Sequence, residues 1–98
     1  MPAAGPAAGP AGFDLERRYA LHPQVAVRPE PFGALLYHFG TRRLSFLKDP
    51  LLLAVVEGLA DAPTARAACN AAGVPDPELP RFARALATLA ETDMLEVA

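Results

Sequence analysis

The chain predicts an α+β fold, winged helix-turn-helix-like, with a three-stranded antiparallel sheet followed by three helices. Three observations carry that expectation. The stretch GALLYHFGTRRLSFL (residues 33–47) alternates with period two on both sides of Gly40-Thr41, as a β-hairpin does. Asp49-Pro50 and Asp76-Pro77 each place a capping side chain before a proline, which marks a helix start. Gly73 falls between two helical patterns, where a left-handed stop is needed. Strands first and helices after is the α+β order, and the last two helices joined by a tight turn form a helix-turn-helix.

The elements follow in turn. Ninety-eight residues make one domain with a modest core. Residues 1–12 hold only Ala, Gly and Pro after the initiator Met, so they are expected to be a disordered tail, with the domain at 13–98. That tail has neither the basic nor the leucine-rich region of a secretory signal, and no apolar run is long enough to span a bilayer. Residues 13–22 mix Phe13, Leu15, Tyr19 and Leu21 with charges, as an arm that packs its apolar side chains. Residues 24–28 (QVAVR) alternate and predict a first strand, ended by Pro29 and Pro31.

In the hairpin, a two-residue Gly40-Thr41 loop of type II′ sets Phe39 against Arg42, Tyr37 against Leu44 and Leu35 against Phe46. One face is then Leu35, Tyr37, Phe39, Leu44 and Phe46, and the other Leu36, His38, Arg43 and Ser45. The almost purely apolar first face is expected to be the core face, and a one-residue slip would destroy the separation. The first helix, Leu51 to Leu59, is apolar nearly all round. The second carries Ala65, Ala68, Cys69 and Ala72 at helical spacing, a small face that another helix can approach closely. The third, Leu79 to Thr92, has a core stripe of Leu79, Phe82, Leu86 and Leu89, and Met94 to Val97 form a short closing extension.

Composition excludes several chemistries. A net charge of −2 suits poorly a protein that must neutralise phosphates. Cys69, the one cysteine, allows no internal disulfide or zinc cluster and fits a reducing cytoplasm. His22 and His38 have no partner at metal-ligand spacing, nothing marks Ser45 as a nucleophile, and no glycine-rich phosphate loop is present. No catalytic residue, metal or cofactor is expected. A winged-helix DNA-binding regulator is the alternative; it would use Arg81 and Arg84 in the major groove, but there is little room for a C-terminal wing. A domain that binds only a partner enzyme, through Leu53 and Ala54, is a third reading.

The segment PFGALLYHFGTRRLSFLK, within the longer run from His22 to Asp61, resembles the PqqD-like recognition elements of ribosomally synthesised, modified peptides. It is most similar to the peptide chaperones of mycofactocin biosynthesis, the MftB family. The resemblance covers roughly Phe13 to Leu95. It implies a domain that binds the leader of a precursor peptide and presents it to a radical S-adenosylmethionine maturase. It also implies that the leader adds as a strand to the third β-strand and lies in a cleft against the third helix. Carried over, the peptide site is Arg42, Arg43, Leu44, Ser45, Phe46 and Leu47 on the strand, with Arg81, Phe82, Ala85, Thr88 and Leu89 on the helix.

The residues themselves leave two readings of that site open. Arg43 and Lys48 also fit ordinary gatekeepers of a sheet edge, and Phe82 and Leu89 also fit plain core. Pairing alone gives little affinity. Ordering a peptide residue costs roughly 1–2 kcal/mol, while a new hydrogen bond returns only about 0.5–1.5 kcal/mol. Apolar burial must supply the rest, at roughly 25 cal/mol per Å². Arg42, Arg43 and Lys48 beside the strand, with Arg81 and Arg84 on the helix, make a locally basic cleft suited to an acidic leader. The expected state is a monomer or weak dimer.

Overall fold

Alternation fixes which residues of the hairpin oppose one another, and the observed pairing follows it. The computed structural model describes residues 13–98, so the expected tail at 1–12 lies outside the described residues. Strands β1 (Tyr19–Leu21), β2 (Val25–Glu30), β3 (Gly33–His38) and β4 (Leu44–Leu47) precede helices α1 (Pro50–Gly58), α2 (Ala65–Ala72) and α3 (Leu79–Glu91), and β5 (Leu95–Val97) closes the chain. The main sheet is antiparallel in the order β2-β3-β4. Tyr37 opposes Leu44 and Leu35 opposes Phe46, as expected.

Two features of the hairpin differ from expectation. The loop has four residues, Phe39 to Arg42, not two. Arg42 N–H donates to the His38 carbonyl at 2.8 Å, and Arg42 takes a left-handed φ of 65°. Both lengths are even, so the other two pairs keep their register, while Phe39 and Arg42, expected to face each other, lie in the loop and not in the ladder. The second difference is larger. The face carrying Leu36 and His38 packs against the helices, with both side chains buried, whereas Phe39, Leu44 and Phe46 are exposed. The apolar set therefore forms the outer face of the sheet. Val25 and Val27 of β2 lie beside His38 and Leu36 and point inward with them, while Arg28 lies beside Leu35 and points outward.

The first two helices form for the reasons their termini announce. The Asp49 carboxylate accepts the N–H of Leu51 at 2.9 Å, and the Thr64 hydroxyl accepts that of Ala67 at 3.0 Å. Gly73 closes α2 with a left-handed φ of 93°. Asp76 makes no capping bond; a 3₁₀ turn over Asp76–Glu78 leads into α3 instead. Ala65, Ala68 and Cys69 are buried in α2, and Leu79, Phe82, Leu86 and Leu89 in α3, as their spacing predicts.

The closing extension is a strand. Leu21 pairs with Leu95 and Tyr19 with Val97, so the N-terminal arm and the C-terminus make a second, two-stranded sheet. Phe13 and Leu15 are buried, and the Phe13 ring stacks on Tyr19 at 4.5 Å. The arm is tied to α2, whose Ala65 and Arg66 amides donate to the carbonyls of Arg17 and Leu15.

Candidate functional site: an open sheet edge and the groove beside it

Hydrogen-bond parity decides what the edge of β4 offers. His38 N–H donates to the Arg43 carbonyl at 3.0 Å. Antiparallel rows alternate between bonded and non-bonded pairs, so Ser45 with Leu36 and Leu47 with Ala34 are also bonded rows. Leu44 and Phe46 fall between them. Their N–H and C=O groups point away from β3, and among the described residues no strand lies beyond β4. Two residues of the chain thus present free donors and acceptors at the sheet edge. Their side chains stand on the outer face, 54% and 58% exposed.

A small groove of about 50 Å³ continues from the end of this strand. Its walls are Asp49, Leu52, Arg81, Phe82 and Ala85. Asp49 follows β4 by two residues, so the groove runs on from the strand. Ala85 is half-buried, and its small side chain leaves the space. Arg81 reaches Glu78 at 2.7 Å and Asp49 at 3.8 Å, and its guanidinium lies 4.9 Å from the centre of the Phe82 ring. These exposed pairs orient the arginine more than they stabilise the fold.

The residues expected at the site are distributed unevenly. Arg42 and Arg43 are exposed at the hairpin tip and the start of β4, and Ser45 is half-buried on the inner face. Leu47 is buried in the core, as are Phe82 and Leu89, so the core reading of the last two holds for most of each side chain. Thr88 is exposed, and its hydroxyl donates to the Arg84 carbonyl at 3.1 Å. Arg84 does not share Arg81's groove. With Leu15, Arg66, Asp76, Leu79, Pro80 and Ala83 it lines a separate groove of about 440 Å³ on the other flank of α3. The single basic cleft read from the sequence is therefore divided between two sides of one helix. Among the described residues, Arg42, Arg43 and Lys48 make no ion pair.

Two features escaped the sequence reading. Asp49 serves both as cap and as groove wall. His38, expected on a polar face, is buried and closes the hairpin: its Nδ1 accepts the N–H groups of Gly40 and Thr41 at 3.0 and 3.1 Å. Burial of the α2 face raises the pKa of the Cys69 thiol, an effect that Arg66 partly offsets, so no reactive thiolate is offered. Among the described residues no group of three or more side chains is placed to hold a metal ion, and no helix is long and apolar enough to cross a membrane.

The arrangement defines a small α+β protein whose distinguishing feature is an unpaired strand edge opening beside a helix-lined groove. Residues 18–96 match the Peptide chaperone MftB family, and the chain belongs to that family. It is 62% identical over 89 residues to the "Peptide chaperone MftB" of Mycobacterium ulcerans, covering 91% of this chain and 82% of that protein. It is 61% identical over 83 residues to the protein of that name from Mycobacterium tuberculosis, covering 85% and 76% of the two chains. For the Mycolicibacterium smegmatis relative the identity is 57% over 83 residues, with coverage of 85% and 81%. No solved structure matches. A chaperone role is non-catalytic, and the protein is not an enzyme.

Proposed function

We propose that the protein binds the leader of a ribosomally synthesised precursor peptide by strand addition to β4. It then presents that peptide to a radical S-adenosylmethionine maturase in mycofactocin biosynthesis. The observation that carries the reading is the outward parity of Leu44 and Phe46 on an edge with no further strand among the described residues. Addition of an extended peptide there satisfies those N–H and C=O groups and extends the sheet. Every second peptide side chain then turns toward the groove at Leu52, Phe82 and Ala85. Arg43 and Lys48 flank the strand without intramolecular carboxylate partners among the described residues, which favours acidic residues in the leader. The recognition unit is residues 13–98, a winged helix-turn-helix-like arrangement turned to peptides. Its single buried cysteine suits a reducing cytoplasm. The ion pairing of Arg81 and the family relationship weigh against DNA binding.

Calorimetric titration of the cognate leader tests this. The parent is expected to bind the leader and to ignore duplex DNA. Ala85→Trp, folded by circular dichroism, is expected to bind at least about tenfold more weakly because the indole fills the groove. An Ala85→Trp variant that binds leader like the parent overturns the site. Salt-sensitive submicromolar binding to duplex DNA overturns the function.

A further inference from the structure

Strand addition pairs with backbone groups of β4 and leaves exposed the side chains on the outer face of the β2-β3-β4 sheet. Phe32, Phe39, Leu44 and Phe46 are 41%, 60%, 54% and 58% exposed. They are neighbours: Phe32 and Phe46 lie 6.3 Å apart between ring centres, and Phe39 meets the half-buried Tyr37 edge-on at 5.0 Å. Scattered exposed hydrophobics are ordinary, but a contiguous aromatic cluster on one sheet face marks an interaction surface.

We propose that this face binds a second copy of the same chain, two sheets packing face to face about a two-fold axis that runs along β3. The strand registers carry the choice of occupant. Across the sheet, Ala26, Tyr37 and Leu44 form one row, and Arg28, Leu35 and Phe46 the next. Glu30 and Gly33 begin a third row, which Lys48 completes by extending the register one step past Leu47. A two-fold axis along β3 lays β2 of one copy over β4 of the other while keeping each row level. Small Ala26 then meets Leu44, the Arg28 guanidinium, which holds Glu30 of its own copy at 2.9 Å, lies over the Phe46 ring, and Lys48 joins that pair at Glu30. Each match of size, cation with ring, and charge occurs twice, as an isologous interface requires. Aligned sheets pack about 10 Å apart, which suits the protruding aromatics.

The area sets the strength. An aromatic side chain offers roughly 150–250 Å², so the three exposed phenylalanines together with Leu44 give about 400 Å² per copy. With Leu35, Tyr37 and the Arg28 stem, the pair buries about 1,000 Å² in total, near the lower limit for a specific interface. A weak dimer follows, with dissociation in the micromolar range. The backbone edge of β4 stays free in both copies; Lys48 serves both readings, and the dimer is tested without peptide.

Sedimentation velocity of the full chain from about 5 to 500 µM is the measurement. The parent is expected to shift from monomer toward dimer across that range. Phe39→Glu, folded by circular dichroism, sets two carboxylates beside the axis and is expected to weaken the dimer at least about tenfold. Glu30→Lys and Lys48→Glu are each expected to be weaker dimers than the parent, and their equimolar mixture is expected to associate more strongly than either alone. In the mixed dimer both 30–48 contacts again join opposite charges. A parent that stays monomeric throughout overturns the proposal and leaves the face to a different partner. A Phe39→Glu variant that dimerises like the parent, or a mixture no stronger than its components, overturns this geometry.

Discussion

The Nδ1 atom of buried His38 accepts the amide N–H of Gly40 at 3.0 Å, and the same atom takes the N–H of Thr41 at 3.1 Å. One imidazole thus closes the hairpin tip that sets the start of β4. His38→Leu leaves both loop amides without their acceptor, each a loss of about 1–3 kcal/mol if they stay dry. Two effects reduce the total. The loop is exposed enough for water to replace part of the loss, and the substitution removes the Nε2 group, which has no partner among the described residues. A net destabilisation of about 1–2 kcal/mol is expected. Urea unfolding measures it, and faster hydrogen exchange at the amides of Gly40 and Thr41 locates it.

The same residue explains what the sequence could and could not disclose. Period-two alternation specifies opposing pairs and two faces, which is why Tyr37 opposite Leu44 was legible. It does not say which face meets the helices. Choosing the more apolar face assumes that apolar surface is always core, and here the outer face keeps its aromatics. The deciding signal lay in three strands taken together. Val25 and Val27 share a face with Leu36 and His38, Arg28 shares the other with Leu35, and Ala34 and Leu47 add apolar bulk to the inner side. The helices were legible because the Asp49 cap, Gly73 and the α3 stripe are local signals, although Asp76 does not cap. The β1–β5 pairing was not, because three-residue strands joining the two ends of the chain leave no local pattern. The groove was half legible. Ala85 and Phe82 lie on the expected flank of α3, but the separation of Arg81 from Arg84 depends on how the arm around Leu15 packs.

Gly33 begins β3 and lies close to the end of β4. A Cβ there would lie 2.0 Å from the Leu47 carbonyl oxygen and 3.1 Å from the Asp49 amide, and its φ of 147° already disfavours a side chain. Gly33→Ala is expected to destabilise by about 2–4 kcal/mol. Gly58→Ala is the contrast. Its φ of −89° is helical and nothing among the described residues lies within 4 Å of the new carbon, so a gain of about 0.5–1 kcal/mol is expected. Paired urea titrations read both.

Cys69 is fully buried on the small face of α2. Burial raises its pKa, and the nearby Arg66 lowers it by less. The folded thiol therefore keeps its proton at pH values where the unfolded thiol has lost it. This contribution to stability is complete below the unfolded value of about 8.5 and falls as the pH rises through and above it. A Cys69→Ala variant is expected to lose less stability than the parent between pH 8 and 10, about the usual thiol range. At neutral pH a thiol reagent is expected to label the native chain far more slowly than the unfolded one.

The parity of β4 gives the sharpest test of strand addition. Ser45 bonds inward to Leu36, whereas Phe46 presents its N–H to the open side. Proline removes one N–H and fixes φ near −65°. Ser45→Pro breaks a rung of the hairpin and is expected to lower stability by more than about 2 kcal/mol. Phe46→Pro removes no rung, because its N–H makes no bond within the sheet. It also deletes an exposed ring, so Phe46→Ala is the control for the side chain. Phe46→Pro is expected to stay folded with little loss of stability, yet to bind leader at least about tenfold more weakly than Phe46→Ala, since the ring of proline meets the incoming strand at a bonding position. Circular dichroism and urea unfolding establish the fold, and calorimetry with the leader reads the affinity. Equal affinities for folded Phe46→Pro and Phe46→Ala would mean that the peptide does not pair with this edge.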